Sequence, residues 1–256
     1  MSRRHVLALI ALPLLAYATL CCLMYFKQRD LIYFPQFTHG EVPTDFALER
    51  DGVTLRGWVV NPGQPDPILY FGGNAERVED NRDEFAAWFP GRSVYLLAYR
   101  GYGASEGEPS ETALAGDALA LYDRARSRHR GQRISLMGRS LGGGVASHVA
   151  AHRPVDRLVL VTPFDSLAAV AQGHYPWLPV GWLMEDRFDS AALLAAYRGP
   201  VLVLRAGRDA VVPAARTNAL VGALPAPPEV VEFPQADHND IHLQPGYGPV
   251  LSRFLR

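Results

Sequence analysis

The pentapeptide Gly138-Arg139-Ser140-Leu141-Gly142 has the residue types and spacing of a nucleophile elbow, a tight turn between a strand and a helix. In such a turn the serine adopts a strained backbone, and side chains two positions to either side would collide with the neighbouring strand and helix. The serine oxygen then stands at a helix N-terminus, where free amides favour developing negative charge. The motif predicts that Ser140 is a nucleophile. The pentapeptide alone would also fit a glycine-rich turn with an incidental serine.

A histidine and an acid are expected later in the chain, because a serine hydroxyl is a poor nucleophile without a base. His238 lies in a polar loop, residues 235–240, after the last predicted strand, and is the predicted general base. Asp209 follows an apolar run at residues 201–205 and is the predicted acid that orients it. Two alternatives remain: Asp209 caps the following helix, or Asp189 is the acid instead.

Two backbone amides must hold the oxyanion that such a reaction forms. One is expected from Leu141, the residue after the nucleophile, and the other from the loop Gly72-Gly73-Asn74-Ala75, where Asn74 is the predicted donor. The glycines allow the backbone to approach a substrate oxygen. Without the elbow, the same loop would read equally well as a plain glycine turn.

The elements that must position these residues alternate along the chain after Asp30, with short apolar runs between longer amphipathic ones. This alternation predicts an α/β fold, a mostly parallel sheet with helices on both faces. Strands are predicted at 54–60, 68–71, 93–98, 133–137, 158–161, 201–205 and 230–233. Helices are predicted at 76–89, 110–130, 141–151, 213–224 and 249–255. The alternation by itself fits a flavodoxin-like or Rossmann domain equally well, so the motifs must separate them.

The stretch 162–199 interrupts this rhythm after the strand at 158–161 and is predicted to be a lid-like insertion over the carboxyl edge of the sheet. Its apolar residues are predicted to line a pocket for an acyl chain; they equally fit a simple cover for the sheet edge. These residues are Trp177, Leu178, Trp182, Leu183 and Met184.

The N-terminal segment, residues 1–30, is predicted to be a membrane anchor. Ser2-Arg3-Arg4-His5 precedes 21 uncharged residues, Val6 to Phe26, which as a helix would rise about 31 Å, close to the hydrocarbon thickness of a bilayer. A cleaved signal peptide ending at Ala18 is the alternative, although it would leave an exposed apolar end. The slight excess of positive charge before the segment predicts a single pass with the catalytic domain outside the cytoplasm.

The amino-acid composition limits the number of domains and the kinds of binding site that the chain can have. At 256 residues and 48% hydrophobic residues, the chain has room for one catalytic domain, residues 31–256, beside its tail. The net charge of −1 comes from interspersed charges, so no basic face for nucleic acid is expected. Both cysteines, Cys21 and Cys22, lie in the apolar segment, which leaves no thiol for a disulfide or zinc site in the domain. No metal or organic cofactor is expected.

Five motifs together resemble the membrane-anchored α/β-hydrolase-domain serine hydrolases, a group that includes protein depalmitoylases and lysophospholipases. The likeness runs from about Leu31 to the C-terminus. It implies an α/β-hydrolase fold, the triad of Ser140, Asp209 and His238, and an oxyanion hole near Asn74. Many relatives have His-Gly-Asn-Ala where this chain has Gly72 in the first position. The motifs are 71–75 (FGGNA), 99–107 (YRGYGASEG), 138–143 (GRSLGG), 207–209 (GRD) and 237–239 (DHN).

The resemblance implies a membrane-anchored hydrolase that cleaves ester or thioester bonds of acylated or lipid substrates. A serine peptidase or amidase would use the same triad, and acidic residues such as Glu185 and Asp186 in the insertion would suit the capture of a free amino group. A non-catalytic, membrane-tethered binding domain is a third class, which the apparent completeness of the triad argues against.

Overall fold

Eight strands form one sheet in the computed structural model, which describes residues 3–40 and 42–256, excluding the side chains of residues 3, 4 and 6–9. Their order across the sheet is β1-β2-β4-β3-β5-β6-β7-β8. β2 runs antiparallel to both of its neighbours, and every later pair is parallel. The strands are β1 Phe46–Arg50, β2 Val53–Val60, β3 Ile68–Phe71, β4 Val94–Leu97, β5 Ser135–Arg139, β6 Leu158–Val161, β7 Val201–Ala206 and β8 Glu229–Phe233.

The central strands are short apolar runs because both faces of a parallel sheet are covered. Every residue of β3, β4 and β6 is buried. β3 and β6 have the predicted bounds, and the other predicted strands are found within two residues of theirs. β1 is an element that the pattern did not predict. It forms a hairpin with β2 through Asp51 and Gly52, both with positive φ (51° and 76°), and the Asp-Gly pair was the signal for it.

The helices cover both faces of the sheet, as predicted. α2 packs against α9, and α4 packs against α3, α7 and strands β3, β5 and β6. α3 is capped by Ser110, whose Oγ accepts a hydrogen bond from the Ala113 amide at 3.2 Å. The helices are α1 Arg3–Ile32, α2 Arg82–Trp88, α3 Glu111–Arg128, α4 Leu141–His152, α5 Leu167–His174, α6 Val180–Leu183, α7 Ser190–Leu194, α8 Ala214–Ala223 and α9 Tyr247–Phe254.

The helix predicted at 76–89 is shorter in the structure. A 3₁₀ turn, Val78–Asn81, precedes α2, so regular helix starts only at Arg82. The reason lies at Glu76, whose carboxylate accepts a hydrogen bond from the Gly73 amide and so closes a tight turn before the helix.

The insertion 162–199 divides between two environments. Phe188 and Leu194 belong to the main hydrophobic core. Ala168, Leu178 and Val180 form a separate small cluster with Cys21 and Met24 of α1. Part of α5 and all of α6 therefore pack beside the N-terminal helix, whereas Val170 of α5 belongs to the main core and α7 is part of the layer that covers the sheet.

The N-terminal helix α1 is long and apolar. A stretch within residues 10–37 has a mean hydropathy of 1.7 and is long enough to cross a membrane, and none of that window is buried. A signal sequence would share these properties. The orientation was predicted from the positive charge at the start of the chain. There, Ser2 and the side chains of Arg3 and Arg4 lie outside the described part of the chain.

Candidate active site

Ser140 lies in a strained turn between β5 and α4. Its φ is 51° and its ψ is −117°, a conformation that L-residues with side chains adopt only when the surrounding structure imposes it. The flanking glycines are required by close packing, as predicted. A Cβ on Gly138 would lie 2.2 Å from the Gly142 carbonyl oxygen, and one on Gly142 would lie 2.0 Å from the Phe71 carbonyl oxygen.

The side chains of Ser140, His238 and Asp209 form one chain of hydrogen bonds. Ser140 Oγ lies 2.8 Å from His238 Nε2, and His238 Nδ1 lies 2.8 Å from Asp209 Oδ2. Because an ionised carboxylate only accepts, Nδ1 carries the proton and Nε2 is left to accept from the serine hydroxyl. The side chains of His238 and Asp209 are 8% and 6% exposed, so the contact is shielded from water.

The Asp209 carboxylate is itself held in place by the backbone. Its Oδ1 accepts hydrogen bonds from the amides of Val211 at 2.9 Å and Val212 at 2.7 Å. α8 begins after Pro213 without a side-chain cap, so Asp209 does not cap that helix. One carboxylate oxygen fixes the loop, and the other faces the imidazole.

Other carboxylates near the site have different partners. Asp189, the alternative acid, caps α7 by accepting from the Ala192 amide at 3.1 Å. Asp237 accepts from the amides of Asn239 and Asp240, and Asp240 accepts from the Asp237 amide. These bonds shape the loop that carries His238.

The loop at 72–75 reaches Ser140 because β3 and β5 are paired neighbours. Their register aligns Phe71 with Gly138, so the residues after each strand lie side by side at the carboxyl edge of the sheet. A Cβ on Gly73 would lie 3.9 Å from the Ser140 Cβ. Among the described residues, none accepts a hydrogen bond from the amides of Leu141 or Asn74, the two predicted oxyanion donors.

Asn74 is held on two sides. Its Nδ2 donates to the Ile32 carbonyl at 3.0 Å, and its own carbonyl accepts from the Phe34 amide at 3.0 Å and the Tyr102 hydroxyl at 2.8 Å. Tyr102 belongs to the motif at 99–107 (YRGYGASEG), for which the resemblance implies no site residue. In the structure this loop supports the backbone beside Ser140, which the recurrence of tyrosines at positions 99 and 102 could have indicated.

Glu76 and Arg139 form a second support that the sequence did not reveal. Glu76 Oε2 accepts from the Gly73 amide at 2.7 Å and lies 3.4 Å from Arg139 Nη1. Arg139 Nη2 donates to the Asn239 carbonyl at 3.1 Å, so one guanidinium joins the 72–75 loop to the His238 loop. Burial lowers the pKa of Arg139, but Glu76, Tyr70 and Tyr247 together outweigh it, so the pKa lies above its ordinary value.

An apolar cavity of about 540 Å³ opens beside Ser140 and His238, a size ordinary for small-molecule sites. α1, the insertion and the loop after β7 supply most of its wall. Its apolar lining includes Met24, Leu31, Ile32, Phe34, Phe37, Phe164, Leu167, Val170, Leu178, Val180, Leu183, Met184, Val211 and Val212.

Two residues predicted to line the pocket lie outside it. Leu178, Leu183 and Met184 are at the cavity wall, whereas Trp177 is 52% and Trp182 is 91% exposed. For Trp182 the short helix α6 explains the difference, because its buried residue Val180 lies one turn from Leu183 and Trp182 projects from another face. In the structure the two tryptophans therefore do not line this cavity.

The carboxylates considered for capture of an amino group are bound to the N-terminal helix instead. Asp186 accepts from Arg29 Nε and the Tyr33 hydroxyl, both at 3.1 Å, and Glu185 accepts from the Tyr25 hydroxyl at 2.6 Å. Neither carboxylate lines the cavity. Within residues 3–40 and 42–256, no group of three or more His, Cys, Asp or Glu residues is arranged to hold a metal ion.

The sheet order and the strained serine at the end of its central strand define an α/β-hydrolase. Residues 70–193 match the sequence profile of the family described as "Serine aminopeptidase, S33". The esterase Pf2001 of Pyrococcus furiosus superimposes with a TM-score of 0.65 at 18% identity, over 87% of this chain and 93% of the esterase. At that identity the likeness concerns the fold.

Curated proteins resemble the chain over most of its length. Uncharacterized protein Rv2307c of Mycobacterium tuberculosis is 37% identical over 96% of this chain and 92% of the relative. Uncharacterized membrane protein YNL320W of Saccharomyces cerevisiae is 29% identical, over 99% and 96%. Lysophosphatidylserine lipase ABHD12 of Danio rerio is 32% identical, over 74% of this chain and 58% of the lipase. The chain belongs to the α/β-hydrolase family, together with the mycobacterial protein.

Proposed function

We propose that this chain is a membrane-anchored serine hydrolase that cleaves ester or thioester bonds of acylated or lipid substrates. Ser140 is the nucleophile, His238 the general base and Asp209 the acid that orients it. The observation that carries the proposal is the pair of 2.8 Å contacts from Ser140 Oγ to His238 Nε2 and from His238 Nδ1 to Asp209 Oδ2, at the wall of an apolar cavity.

The first half of the proposed reaction forms an acyl-enzyme. His238 Nε2 takes the hydroxyl proton as Ser140 Oγ bonds to the carbonyl carbon, and the carbonyl oxygen becomes an oxyanion. The amides of Leu141 and Asn74 donate to that oxygen. The intermediate collapses when its bond to the leaving group breaks, and the imidazolium returns its proton to the departing alkoxide or thiolate.

The second half releases the acyl group. Water enters where the leaving group was, His238 takes one of its protons, and the water oxygen bonds to the acyl carbon. The second tetrahedral intermediate breaks its bond to Ser140 Oγ, which regains a proton from His238. A carboxylic acid leaves, and the enzyme returns to its starting state without a cofactor.

An acyl substrate is supported by the cavity and by one relative. Apolar side chains from three parts of the chain surround the space beside Ser140, and such a lining favours a hydrocarbon chain over a charged group. The zebrafish relative is named a lysophosphatidylserine lipase. We extend from that name only the substrate class, an ester of a long-chain acid.

The membrane part of the proposal assigns residues 1–30 to a single-pass anchor, 31–256 to the catalytic domain and 162–199 to a lid-like insertion. A helix long and apolar enough to span a bilayer and a yeast relative named as a membrane protein support it. The hydrogen bond from the Tyr17 hydroxyl to the Trp177 carbonyl favours a retained helix over a signal cleaved after Ala18. The catalytic domain is proposed to be extracytoplasmic.

A peptidase or amidase activity is the second candidate, because the matching family profile is described as a serine aminopeptidase. Recognition of a free amino terminus needs an unpaired carboxylate near the nucleophile. Glu185 and Asp186 are already paired with Arg29, which makes this candidate the weaker one.

Activity-based labelling tests the role of Ser140. A fluorophosphonate probe should label the full-length protein in detergent or vesicles, and Ser140→Ala should abolish the labelling. Ser127→Ala is the matched control, since Ser127 is an exposed serine on α3 whose hydroxyl donates to the Arg124 carbonyl one turn earlier. A protein that stays unlabelled, or labelling that survives Ser140→Ala, would contradict a serine hydrolase and favour a binding domain.

Substrate class is tested with p-nitrophenyl esters of increasing chain length, a lysophospholipid and aminoacyl amides. We expect kcat/KM to rise from the acetyl ester to medium or long acyl chains, with release of fatty acid from the lysophospholipid. A preference for acetyl or butyryl esters without lipid turnover would contradict the lipid assignment. Cleavage of the amides alone would establish the peptidase alternative.

A further inference from the structure

Charged residues of the N-terminal helix and of the insertion lie side by side and form one ion cluster. Arg29 of α1 lies 3.1 Å from Asp186 and 3.4 Å from Glu185 of the insertion. The segments that precede these ion-pairing residues in sequence, 6–26 and 167–184, contain no Asp, Glu, Lys or Arg. Two segments without charged residues, distant in sequence, therefore end at the same ion cluster.

Contacts show that the two stretches continue side by side. Gln28 Nε2 donates to the Leu183 carbonyl at 3.2 Å, and Gln28 Oε1 accepts from the Glu185 amide at 2.7 Å. Further along, the Tyr17 hydroxyl donates to the Trp177 carbonyl at 2.8 Å. From Gln28 back to Tyr17 the helix axis advances about 16 Å, and the insertion accompanies it over that distance.

The outer face of the insertion is apolar and aromatic. Trp182 is 91% and Trp177 is 52% exposed, and Phe26 on the neighbouring helix is 80% exposed. Exposed aromatic groups of this size, contiguous with an apolar helix, are unusual on a surface that faces water alone. Trp and Tyr are the residues enriched where a protein meets the bilayer interface.

Backbone N–H and C=O groups of the insertion are largely hydrogen-bonded within the insertion itself, as contact with lipid requires. Gln172 Nε2 donates to the carbonyls of Tyr175 at 3.2 Å and Leu178 at 3.0 Å. The amides of Leu178, Val180, Trp182, Leu183 and Met184 each donate to a carbonyl within the segment. Pro176 and Pro179 have no N–H to satisfy.

We propose that residues 175–184 enter the same bilayer leaflet as α1, and that the substrate reaches Ser140 sideways from that leaflet as a phospholipid or other acyl lipid. The occupant of this aromatic face is thus the lipid bilayer. Met24 and Leu31 of α1 and Leu178 and Leu183 of the insertion line the cavity beside Ser140, so both elements that meet lipid also form the cavity wall. Substrate entry by this route rests on the proposed hydrolase function; membrane contact does not.

Tryptophan fluorescence tests the membrane contact directly. The full-length protein is reconstituted in phosphatidylcholine vesicles with a fraction of the lipid brominated on its acyl chains. Bromine should quench the wild-type protein, and most of that quenching should be lost in Trp177→Phe/Trp182→Phe, whereas Trp88→Phe, on the remote helix α2, should retain it. Unchanged quenching in the double variant, or quenching of Trp182 only by aqueous acrylamide, would overturn the proposal.

Kinetics test the route of entry. Trp182→Ser should lower the turnover of an ester dispersed in vesicles by roughly fivefold, because the aromatic group no longer holds the insertion in the interface. Hydrolysis of soluble p-nitrophenyl butyrate should stay unchanged. Val230→Ser, at a 40% exposed position on β8, should alter neither. Equal effects on the two esters, or no effect on either, would contradict lateral entry. If the wild type hydrolyses neither ester, the proposed hydrolase function fails while the fluorescence result still decides the membrane contact.

Discussion

Asn74 Nδ2 donates a hydrogen bond to the Ile32 carbonyl across 3.0 Å, so the loop beside Ser140 is tied to the last residue of the N-terminal helix. Asn74 also supplies one of the two amides proposed to bind the oxyanion. Anything that moves the end of α1 relative to the sheet therefore also moves a proposed oxyanion donor.

The Asn74 link predicts a change in kcat rather than in KM. Asn74→Ala keeps the amide but frees it to shift, and loss of a whole oxyanion donor costs about 10²–10³ in kcat. We expect a smaller loss, roughly tenfold, with KM on a soluble ester nearly unchanged. Asn218→Ala on α8 removes an exposed contact with Arg205 of β7 and should have no effect on either constant. A change confined to KM would contradict the positioning role of Asn74.

Asp209 and Asp189 offer a matched pair of carboxylates. Asp209→Asn removes the charge that fixes the imidazole tautomer, and kcat should fall by about 10⁴. Asp189→Asn should leave kcat close to wild type, because asparagine also caps a helix and the Asp189 carboxylate bonds only to the amide of Ala192. Steady-state hydrolysis of a p-nitrophenyl ester measures both. A large loss in Asp189→Asn with little loss in Asp209→Asn would reassign the acid.

Much of the sheet and the order of the three site residues could be predicted from local signals. The apolar runs at 68–71 and 158–161 gave strands with the observed bounds, because a strand buried on both faces has little tolerance for polar residues. The glycines around Ser140 are detectable because the turn leaves no room for a Cβ. Asp209 and His238 could be placed because each follows a strand at the same edge of the sheet.

The supports of the site could not be predicted, because they depend on which strands become neighbours. Tyr102 reaches the Asn74 carbonyl and Arg139 reaches Glu76 only after β3 is inserted between β4 and β5. The sequence around a polar residue does not indicate which distant residue will be its hydrogen-bond or ion-pair partner. The orientation of Trp182 was equally inaccessible, since a helix of four residues has no periodicity from which a buried face can be read.

Arg139 is predicted to act by holding two loops together. Arg139→Met leaves Glu76 partly buried without its cation, and breaking a buried pair costs about 3–5 kcal/mol, less where water has access. The side chains here are 15% and 11% exposed, so we expect the free energy of unfolding to fall by about 2–4 kcal/mol and kcat by roughly tenfold.

Two further variants separate the role of Arg139 from loss of charge alone. Arg139→Lys should recover stability more than kcat, because lysine cannot reach Glu76 and the Asn239 carbonyl with one planar fork. Arg133→Met breaks an ion pair with Asp66 in which Arg133 is 59% exposed and should leave the free energy of unfolding close to that of the wild type. Denaturant unfolding and ester hydrolysis measure both quantities. Equal kcat in Arg139→Met and wild type would show that the bridge has no effect on the chemistry.

The junction between α1 and the insertion is predicted to depend on Asp186, which is 3% exposed. Its carboxylate accepts from Arg29, Tyr33 and the Glu111 amide, so Asp186→Ala would leave buried donors without an acceptor and cost about 2–4 kcal/mol. Asp30→Ala, which breaks the exposed pair with Lys27 on the same helix, should leave the stability close to that of the wild type. Thermal unfolding in one detergent compares them. Because Ile32 and Asn74 lie beyond the same junction, Asp186→Ala should also lower kcat on a soluble ester. Equal stability of the two variants would contradict a stabilising role for the Asp186 contacts.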